Sequence, residues 1–429
     1  MKILVIGSGA REHSIIWKLN QDKNISKITC IGENKGISEI CETIDFKYKN
    51  INDLKDKILV LNPDLVVVGP EAPLSEGITN LLEENNILVF GPTKEAAKIE
   101  SSKTFSKELM LQNNIPTANA RFFDSFEDAK KYSLKKGFKN IVIKADGLAG
   151  GKGVFLPESE IDMINTLNSL LIEKKLGKSG VNILIEDKIY GPEVSIFTFT
   201  DGTTISEPIA VCDYKRVYNN NQGPNTGGMG CYTPPEFWNE ELKQIILKDI
   251  IYPTLNSMKK LGTPFKGMLY TGIMITNDGP KVIEYNCRFG DPECELIMPM
   301  LDGNLSEIFL GISKSNFNNN LVKWKNKKGV SVVICSEGYP EDYKKGVEII
   351  GLENINKNTI CFHAGTKELD GKLVTNGGRV IVLSNLDESI KLSRVNIYEE
   401  INKVKFLGSF YRTDIALKAE EKRLKKIFY

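Results

Sequence analysis

Residues 283–293 read Ile-Glu-Tyr-Asn-Cys-Arg-Phe-Gly-Asp-Pro-Glu, and polar side chains alternate there with bulky ones. This period-two pattern predicts a strand that places Glu284, Asn286 and Arg288 on one face. A carboxylate and a carboxamide oxygen suit a hard cation such as Mg²⁺, and a guanidinium can fork onto a phosphate or a carboxylate. The segment indicates metal-nucleotide chemistry, although a sheet edge that turns polar for solubility would show the same pattern.

Length and charge narrow the class of protein. The chain has 429 residues, more than one hydrophobic core usually serves, so several domains are expected. Apolar residues make up 41% and charged residues 26%, as in ordinary globular proteins. The 56 basic and 55 acidic residues give a net charge of +1, which provides no global field for nucleic acid or an anionic membrane. We therefore expect neither kind of partner.

Targeting signals and cysteine pairs are missing from the sequence. The apolar run at residues 1–7 is too short for a signal sequence, and no stretch approaches the roughly 20 apolar residues that cross a bilayer. The 8 cysteines include no Cys-x-x-Cys pair, which argues against a zinc cluster and a disulfide framework. We expect a cytoplasmic protein with reduced thiols, in which Cys287 and Cys294 are small buried fillers.

Strand and helix patterns divide the chain into three regions. Residues 1–101 alternate buried-strand runs with helices, which predicts an open parallel α/β sheet. Residues 102–327 read as an α+β region with a mobile lid over about residues 124–190. Residues 328–429 read as a small α+β domain that starts with an alternating strand at residues 330–335.

A glycine turn follows the first predicted strand. Gly7 and Gly9 precede a helical run, as in dinucleotide-binding motifs, but the third glycine position of that motif holds Glu12. A nicotinamide cofactor is therefore not expected. The turn amides, the helix N-terminus and Arg11 can still hold an anion, and a phosphate would fit there.

A second glycine-rich loop follows the strand that ends near Lys144. Its glycines are Gly147, Gly150, Gly151 and Gly153. Such a loop can lay its amides over a polyphosphate while Lys144 neutralises a phosphate. The Walker A pattern is not met, because Gly153 follows Lys152 where a hydroxyl is needed. A flexible surface hairpin is the alternative for this loop.

An apolar strand at residues 183–185 precedes acidic residues and could complete a nucleotide pocket. Its exposed backbone could hydrogen-bond the edge of adenine, and Glu186 or Glu193 could accept from ribose hydroxyls. Without the neighbouring motifs, both would be read as ordinary carboxylates at strand ends.

The inventory of reactive side chains favours phosphoryl transfer. Asp213 and Lys215 border a polar loop, residues 223–230, that could bind an anion and steady a negative intermediate, or could be an ordinary loop. The histidines, His13 and His363, lie far apart in sequence, and no nucleophile motif of a hydrolase is present. Lysines, arginines, amides and a metal suit a reaction in which positioning and charge stabilisation supply most of the rate.

Taken in order, these segments resemble the ATP-grasp superfamily and, within it, the phosphoribosylamine–glycine ligase family of purine biosynthesis. The segments that carry the resemblance are residues 5–13, 68–74, 143–153, 223–230, 283–293, 362–366 and 375–380. The resemblance is nearly full length. It implies an N-terminal pre-ATP-grasp α/β domain, a central ATP-grasp domain and a small C-terminal α+β domain.

The resemblance also implies the reaction. ATP phosphorylates the carboxylate of glycine to glycyl phosphate, and the amino group of 5-phosphoribosylamine attacks it to give glycinamide ribonucleotide, ADP and phosphate. Mg²⁺ or Mn²⁺ would be the metal, the partners would be these small molecules, and the protein would be a monomer. No downstream synthetase or formyltransferase segment follows in the sequence, so a single activity is expected.

Residue roles follow from the same resemblance. Glu284 and Asn286 would hold the metal, and Lys103 and Lys144 would contact the ATP phosphates under the glycine-rich loop. The other implied ATP contacts are Glu186, Asp187, Lys188 and Ile189 near adenine and Glu193 at the ribose. The sugar-amine or intermediate side would be lined by Gly9, Glu71, Asp291, Gly378 and Arg379. Catalysis would rest on Arg288, Lys215 and Asp213.

Two positions depart from the family pattern, and two alternatives stay open. Tyr214 stands where the family commonly has histidine, which puts any proton transfer there in question, and Cys294 follows Asp-Pro-Glu. Another ATP-grasp ligase would share the glycine-rich loop and the Glu-x-Asn-x-Arg pattern. A silent nucleotide-binding protein would be expected to have lost a metal ligand or a phosphate lysine, yet Glu284, Asn286 and Lys103 are present.

Overall fold

The N-terminal region folds as the parallel sheet that its sequence predicts. The structure is a computed structural model that describes residues 1–150 and 153–420. The first elements are β1 (Lys2–Ile6), α1 (Ala10–Leu19), β2 (Lys27–Ile31), α2 (Lys35–Ser38), β3 (Glu42–Ile44), α3 (Ile51–Leu61), β4 (Leu65–Val68), α4 (Glu71–Glu76), α5 (Ile78–Glu83), β5 (Leu88–Phe90) and α6 (Lys94–Ser101). The strands are parallel in the order β3-β2-β1-β4-β5. The strand β4 is buried along its whole length, as expected when helices cover both faces of a parallel sheet.

The next region contains a small antiparallel sheet with its own core. Its elements are α7 (Lys103–Gln112), β6 (Ala120–Phe123), α8 (Phe126–Lys136), β7 (Ile141–Ala145), β8 (Val154–Phe155), α9 (Glu160–Leu167) and β9 (Ile183–Asp187). The strand order is β6-β9-β7-β8. Apolar side chains of β7 and β9 pack under α9 in a cluster separate from the rest of the interior. This sheet corresponds to the predicted lid, whose exact boundaries stay a prediction.

A large sheet runs through the rest of the chain. The elements of its first part are β10 (Glu193–Thr200), β11 (Ile209–Asp213), β12 (Arg216–Tyr218), β13 (Gln222–Asn225), β14 (Gly230–Thr233), α10 (Glu240–Ile246), α11 (Tyr252–Lys260), β15 (Gly267–Thr276), β16 (Gly279–Asn286), α12 (Cys294–Met300) and α13 (Leu305–Ser313). Those of the second are β17 (Lys328–Ser336), β18 (Thr359–His363), β19 (Thr366–Leu369), β20 (Lys372–Thr375), β21 (Arg379–Asp387), α14 (Ile390–Ile401), β22 (Ser409–Phe410) and α15 (Leu417–Glu420). The order is β16-β15-β10-β11-β14-β17-β21-β18, with β22 also pairing with β17.

The sheet is continuous across the predicted boundary between residues 327 and 328. The strand β14 of the central region pairs with β17 of the C-terminal region, from Gly230 opposite Val332 to Thr233 opposite Gly329. The sequence predicted an alternating strand at residues 330–335, whereas β17 is buried on both faces over these residues. The helices α12 and α14 both contact this strand, which accounts for the difference.

The N-terminal and C-terminal regions meet through the two histidines. The backbone N–H of His363 donates to Nδ1 of His13 at 2.9 Å, and the side-chain amide of Asn34 donates to the carbonyls of His363 and Ala364. Burial lowers the pKa of His13 to about 3 and the pKa of His363 to about 4, so both rings are neutral near pH 7. Both histidines therefore serve a structural contact between the N-terminal and C-terminal regions.

The cysteines and helices agree with the expectations from the sequence. All eight cysteines, each within the described residues, are free, and Cys287 and Cys294 are buried as expected of small fillers. Over residues 1–150 and 153–420, no helix is long and apolar enough to cross a membrane.

Candidate active site

The strand β16 brings the predicted metal ligands to one face of the sheet, but it ends earlier than the sequence suggested. The strand stops at Asn286, so Arg288 lies in the turn that follows it. Glu284 and Asn286 are partly exposed, whereas Tyr285 between them is buried. The side chain of Asn286 has no hydrogen bond to any other described residue, so its oxygen is available to a ligand.

Lys215 lies against Glu284. Its Nζ is 3.2 Å from Oε1 of Glu284 and 3.6 Å from Oε2 of Glu193. Attraction by Lys215 lowers the pKa of Glu284 to about 2 in spite of burial, with Lys144 and Lys103 adding to the effect. Glu284 is therefore an anion at neutral pH, as a metal ligand must be. The structure therefore places Lys215, a predicted catalytic residue, beside the strand that carries the predicted metal ligands.

Asp213 is the last residue of β11 and faces the same site as Lys215. Its Oδ1 is buried and has no hydrogen-bond partner in the described residues. Burial and the nearby Glu293 raise the pKa of Asp213 well above its usual value. Together with Glu193, Lys215 and Tyr270, Asp213 lines a small cavity beside β16.

Lys103 begins α7 and is joined to the glycine-rich loop. Its Nζ donates to the carbonyl of Gly147 at 3.1 Å, and its backbone N–H donates to the carbonyl of Asp146 at 3.0 Å. The carboxylate of Asp146 accepts the N–H of Thr104 at 2.7 Å, so it satisfies an otherwise free amide at the start of the helix. The start of the loop is thereby fixed to the helix that carries a predicted phosphate lysine.

Lys144 and Glu186 form a buried ion pair between the small sheet and β16. Nζ of Lys144 is 2.9 Å from Oε2 of Glu186 and donates to the carbonyl of Ile283 at 2.9 Å. The other oxygen of Glu186 lies 3.2 Å from Nζ of Lys107. Although burial raises the pKa of Glu186, the two ammonium groups lower it by more. Each oxygen of Glu186 thus contacts one lysine, and the predicted contact of Glu186 with the nucleotide stays a prediction.

The other predicted nucleotide contacts are spread along the end of β9. Asp187 is paired with Lys136 at 2.7 Å, and the backbone N–H of Lys188 donates to the carbonyl of Asn140. Ile189 is half-buried in the following turn, and Glu193 is partly exposed at the start of β10. Their roles stay predictions. Of the loop glycines, Gly150 has positive φ with open space around it, Gly153 precedes β8, and Gly151 lies outside the described residues.

Arg288 is held by two carboxylates instead of lying open to a ligand. Its Nε is 3.0 Å from Glu71 and its Nη2 is 3.0 Å from Glu100. Burial alone would lower the pKa of Arg288, but Glu100 and Glu71 raise it. The second oxygen of Glu100 accepts the backbone N–H of Cys287 at 2.8 Å. The turn after β16 is thus fixed to the N-terminal sheet at α4 and α6.

The anion position at the first glycine turn is filled by the chain itself. One carboxylate oxygen of Glu12 accepts the N–H of Gly9 at 2.7 Å and the other accepts Nε of Arg11 at 2.7 Å. A Cβ at Gly7 would lie 2.7 Å from Glu12, so this glycine is what admits the side chain. The acidic residue that breaks the dinucleotide motif therefore takes the Gly9 amide and one N–H of Arg11, and the phosphate suggested at this turn stays a prediction.

Asp291 and Arg379 join the central sheet to the C-terminal strands. Their Oδ1 and Nη2 atoms lie 3.0 Å apart, and Nη1 of Arg379 donates to the carbonyls of Gly227 and Asp291. Gly378 packs against the ring of Tyr339, whose hydroxyl accepts the N–H of Gly227. The polar loop at residues 223–230 therefore contacts Arg379 and Tyr339 through Gly227, and the binding of an anion there stays a prediction.

Tyr214 faces away from the site. Strand alternation turns its neighbours Asp213 and Lys215 toward Glu284, whereas the hydroxyl of Tyr214 accepts the N–H of Ala416 at 2.9 Å. The guanidinium of Arg412 stacks on its ring at 4.7 Å. At this departure from the family pattern, Tyr214 therefore makes packing contacts on the side away from Glu284.

Sequence reasoning missed several residues that shape the site. They are Glu12, Glu100, Lys107, Asp146 and Glu293. The spacing of Lys103 and Lys107 by four residues on one helix was an available signal, because such residues share a face. Glu100 carried no local signal, since its partners come from the turn after β16.

A fold of this kind with these groups defines the class of protein. Two lysines beside a glycine-rich loop on a small sheet, and a strand with an ionised carboxylate on a larger sheet, are together typical of an ATP-grasp enzyme. Residues 101–294 match a family model described as phosphoribosylglycinamide synthetase, ATP-grasp (A) domain; residues 1–100 match its N domain and residues 329–418 its C domain. The chain belongs to the phosphoribosylglycinamide synthetase family, and the resemblance drawn from the sequence is confirmed.

Similar proteins cover the chain nearly end to end. A phosphoribosylamine–glycine ligase of Caldanaerobacter subterraneus subsp. tengcongensis is 42% identical over 416 residues, 97% of this chain and 99% of that protein. The trifunctional purine biosynthetic protein adenosine-3 of Homo sapiens is 39% identical over 97% of this chain but only 42% of its own length. The crystal structure of a phosphoribosylamine–glycine ligase from Thermotoga maritima has a TM-score of 0.84 at 31% identity, covering 97% of this chain and 100% of that one.

Proposed function

We propose that this protein is an ATP-dependent ligase that joins glycine to 5-phosphoribosylamine. The products are glycinamide ribonucleotide, ADP and phosphate, which makes it an enzyme of purine biosynthesis. The observation that carries the proposal is the family match in all three regions, since relatives that share the whole length bear the name phosphoribosylamine–glycine ligase. A silent nucleotide-binding protein is disfavoured because Lys103 and Lys144 are retained close enough to Glu284 to help lower the pKa of that carboxylate.

The donor set on β16 fits Mg²⁺ or Mn²⁺. Glu284 is ionised, Asn286 offers an unengaged oxygen, and both suit a hard cation. Over residues 1–150 and 153–420 no group of three or more His, Cys, Asp or Glu side chains could hold a metal. This accords with an ion that takes one or two protein ligands and completes its shell with phosphates and water. When bound, the ion would neutralise charge on the transferring phosphoryl group.

The remaining groups divide the work of the reaction. A carboxylate oxygen of glycine attacks the γ-phosphorus and ADP leaves; the sugar amine then attacks the acyl carbon, phosphate leaves and one proton is released. Lys103 and Lys144 would hold the phosphates in line, where positioning supplies most of the rate. Lys215 lies beside Glu284, where it can steady negative charge as the phosphoryl group moves. Asp213 carries a raised pKa and is the candidate acceptor for the proton of the attacking amine.

The sugar-amine side is assigned to the junction of the three regions. Asp291, Gly378 and Arg379 lie beside the polar loop at residues 223–230. A Cβ at Gly9 would lie 3.7 Å from Asp291, and Glu71 pairs with Arg288 in the turn after β16. Arg288 contributes by fixing that junction through Glu71 and Glu100. We further propose that the protein acts in the cytoplasm, with its thiols reduced, and that it is a monomer, which sedimentation would test.

The test is phosphate release from ATP and Mg²⁺ with each component omitted in turn. Phosphoribosylamine is generated in situ from ribose 5-phosphate and ammonia, and the product is identified by mass. Release that needs both glycine and the sugar amine, with the mass of glycinamide ribonucleotide, is the expected result. Release with a different carboxylate or amine would keep the ATP-grasp reaction and change the substrate, whereas no release from folded protein would overturn the proposal.

A further inference from the structure

Lys107 is a fully buried lysine whose ammonium group is completely engaged. It is 1% exposed, and its Nζ lies 2.6 Å from Oγ1 of Thr117, 3.1 Å from the carbonyl of Ala118 and 3.2 Å from Glu186. These contacts use the hydrogen-bonding capacity of an ammonium group in full. Burial lowers the pKa of Lys107 to about 8, with Glu186 opposing and Lys144 adding to the decrease. Such a group is costly to keep inside a protein unless it is paired.

Glu186 connects Lys107 to Lys144, the lysine predicted to contact the nucleotide. Glu186 is 5% exposed and divides its two oxygens between Lys107 and Lys144. Without Lys107, the carboxylate would face Lys144 alone, and burial would favour its neutral form. The orientation of Lys144 depends on this charge, because Glu186 and the carbonyl of Ile283 are what its Nζ contacts.

The contacts of Lys107 also extend to the backbone of β16, the strand that carries the predicted metal ligands. Thr117 accepts from Lys107 and donates to the carbonyl of Val282 at 2.8 Å, while Lys144 donates to the next carbonyl, that of Ile283. Glu284 follows directly in the sequence. Lys107 therefore supports two neighbouring carbonyls of β16, just before the residue that would hold the metal.

We propose that Lys107 is a positioning residue for nucleotide binding: it keeps Glu186 ionised, so that Lys144 stays aimed at the polyphosphate beside β16. This inference rests on the proposed function for the identity of the nucleotide, but not on the identity of the other substrates. Lys107 touches neither the nucleotide nor the reacting atoms. It acts through Glu186, and its effect falls on ground state and transition state alike, which changes KM more than kcat.

The test measures binding of ADP with Mg²⁺ by calorimetry, which does not depend on turnover. We expect Lys107→Met to weaken ADP binding about tenfold and to raise the KM for ATP similarly, with kcat and the KM for glycine changed less than about threefold. Glu186→Gln removes the charge that Lys107 compensates. The loss caused by Lys107→Met should therefore shrink to less than about threefold when Glu186→Gln is already present, as a double-mutant cycle detects.

A matched control removes another buried lysine. Lys18 is 8% exposed and donates to the carbonyl of Leu301 at 2.9 Å on the opposite side of the N-terminal sheet, so Lys18→Met should leave ADP affinity unchanged. If Lys107→Met does not fold, Thr117→Val keeps the ammonium group but removes one of its hydrogen bonds. This variant is expected to weaken ADP binding about two- to fivefold.

Two results would overturn the inference. One is ADP affinity within about twofold of the parent for Lys107→Met, or for Thr117→Val where that variant replaces it. The other is a loss from Lys107→Met that is equally large with and without Glu186→Gln. Failure of the parent protein itself to bind ADP would instead overturn the proposed function and the inference together.

Discussion

The substitution Glu284→Gln tests the metal strand with the smallest change of shape. The amide keeps the size of the side chain and removes the charge that attracts Lys215 at 3.2 Å. The pKa of Glu284 is lowered from 4.5 to about 2. This net change, after the opposing cost of burial, corresponds to about 3 kcal/mol in favour of the charged carboxylate. A metal ion would meet the same carboxylate with more charge than one ammonium group carries.

The expected result is a large loss of turnover in a folded protein. A loss of about 3 to 4 kcal/mol of transition-state stabilisation lowers kcat by about two to three orders of magnitude. The free energy of unfolding should fall by less than this amount, because Lys215 still has Glu193 as an ionic partner at 3.6 Å. The contribution of Glu284 to stability is present above its ordinary pKa of 4.5 and is lost as pH falls toward 2, so the two proteins should converge in acid.

The assay is phosphate release at saturating substrates over a Mg²⁺ titration, with thermal melting of both proteins. Asp278→Asn is the matched control, because Asp278 pairs with Lys281 at 3.1 Å on the same hairpin but is exposed and away from the site. It should leave turnover unchanged. A turnover for Glu284→Gln within about threefold of the parent, with an unchanged Mg²⁺ requirement, would refute the reasoning.

Three further predictions follow from other parts of the structure. Glu295→Gln should raise the free energy of unfolding, measured with denaturant, by about 1 to 3 kcal/mol, because both carboxyl oxygens are buried without partners in the described residues. Burial raises the pKa of Glu295 well above its ordinary value of 4.5, so the parent should lose stability as pH rises above 4.5, and the gain from the substitution should grow with it. ATP with Mg²⁺ should protect the loop at residues 147–153 from limited proteolysis, because a lid closes over bound phosphates. The lowered pKa values of His13 and His363 mean that stability should fall from about pH 6.5 toward pH 4, as the unfolded state takes up protons first. His13→Gln should flatten that decline in acid melts.

Each of these has a clear contrary outcome. A pH-independent or negative effect of Glu295→Gln would mean that the carboxyl is satisfied or ionised in solution. Equal cleavage with and without ATP and Mg²⁺ would count against closure of the loop. An acid profile of His13→Gln that matches the parent would place the acid-sensitive step elsewhere, with the exposed Lys98→Gln as the control for a neutral substitution.

Local signals in the sequence were enough to single out some of the candidate anion and metal contacts. Lys144 and Glu284 were predicted because glycine-rich loops and alternating strands have short-range patterns, whereas the role of Lys103 came from the family resemblance. The parallel α/β sheet of residues 1–101 could be predicted for the same reason. What the sequence offered was the type of each group and its place on a strand or helix.

Partners that come from distant parts of the chain could not be predicted. Arg288 was expected to bind a ligand, but Glu71 and Glu100 take its guanidinium, and nothing near Arg288 in the sequence indicates them. Glu12 was read only as the residue that breaks a motif, because its role depends on the shape of the glycine turn. A buried carboxylate between two lysines, such as Glu186, looks in sequence like any other acid at a strand end.

The pairing of β14 with β17 has a consequence for how the chain is made. The edge of β14 at Gly230–Thr233 has its partner about a hundred residues later, at Gly329–Val332, and β17 in turn pairs with β21 at Arg379–Asp387. On a ribosome, the central sheet therefore stays open until most of the chain has emerged, whereas the N-terminal parallel sheet can close early. Nascent chains that stop near residue 327 would expose a bare, apolar strand edge, the kind of surface that chaperones bind and that otherwise aggregates.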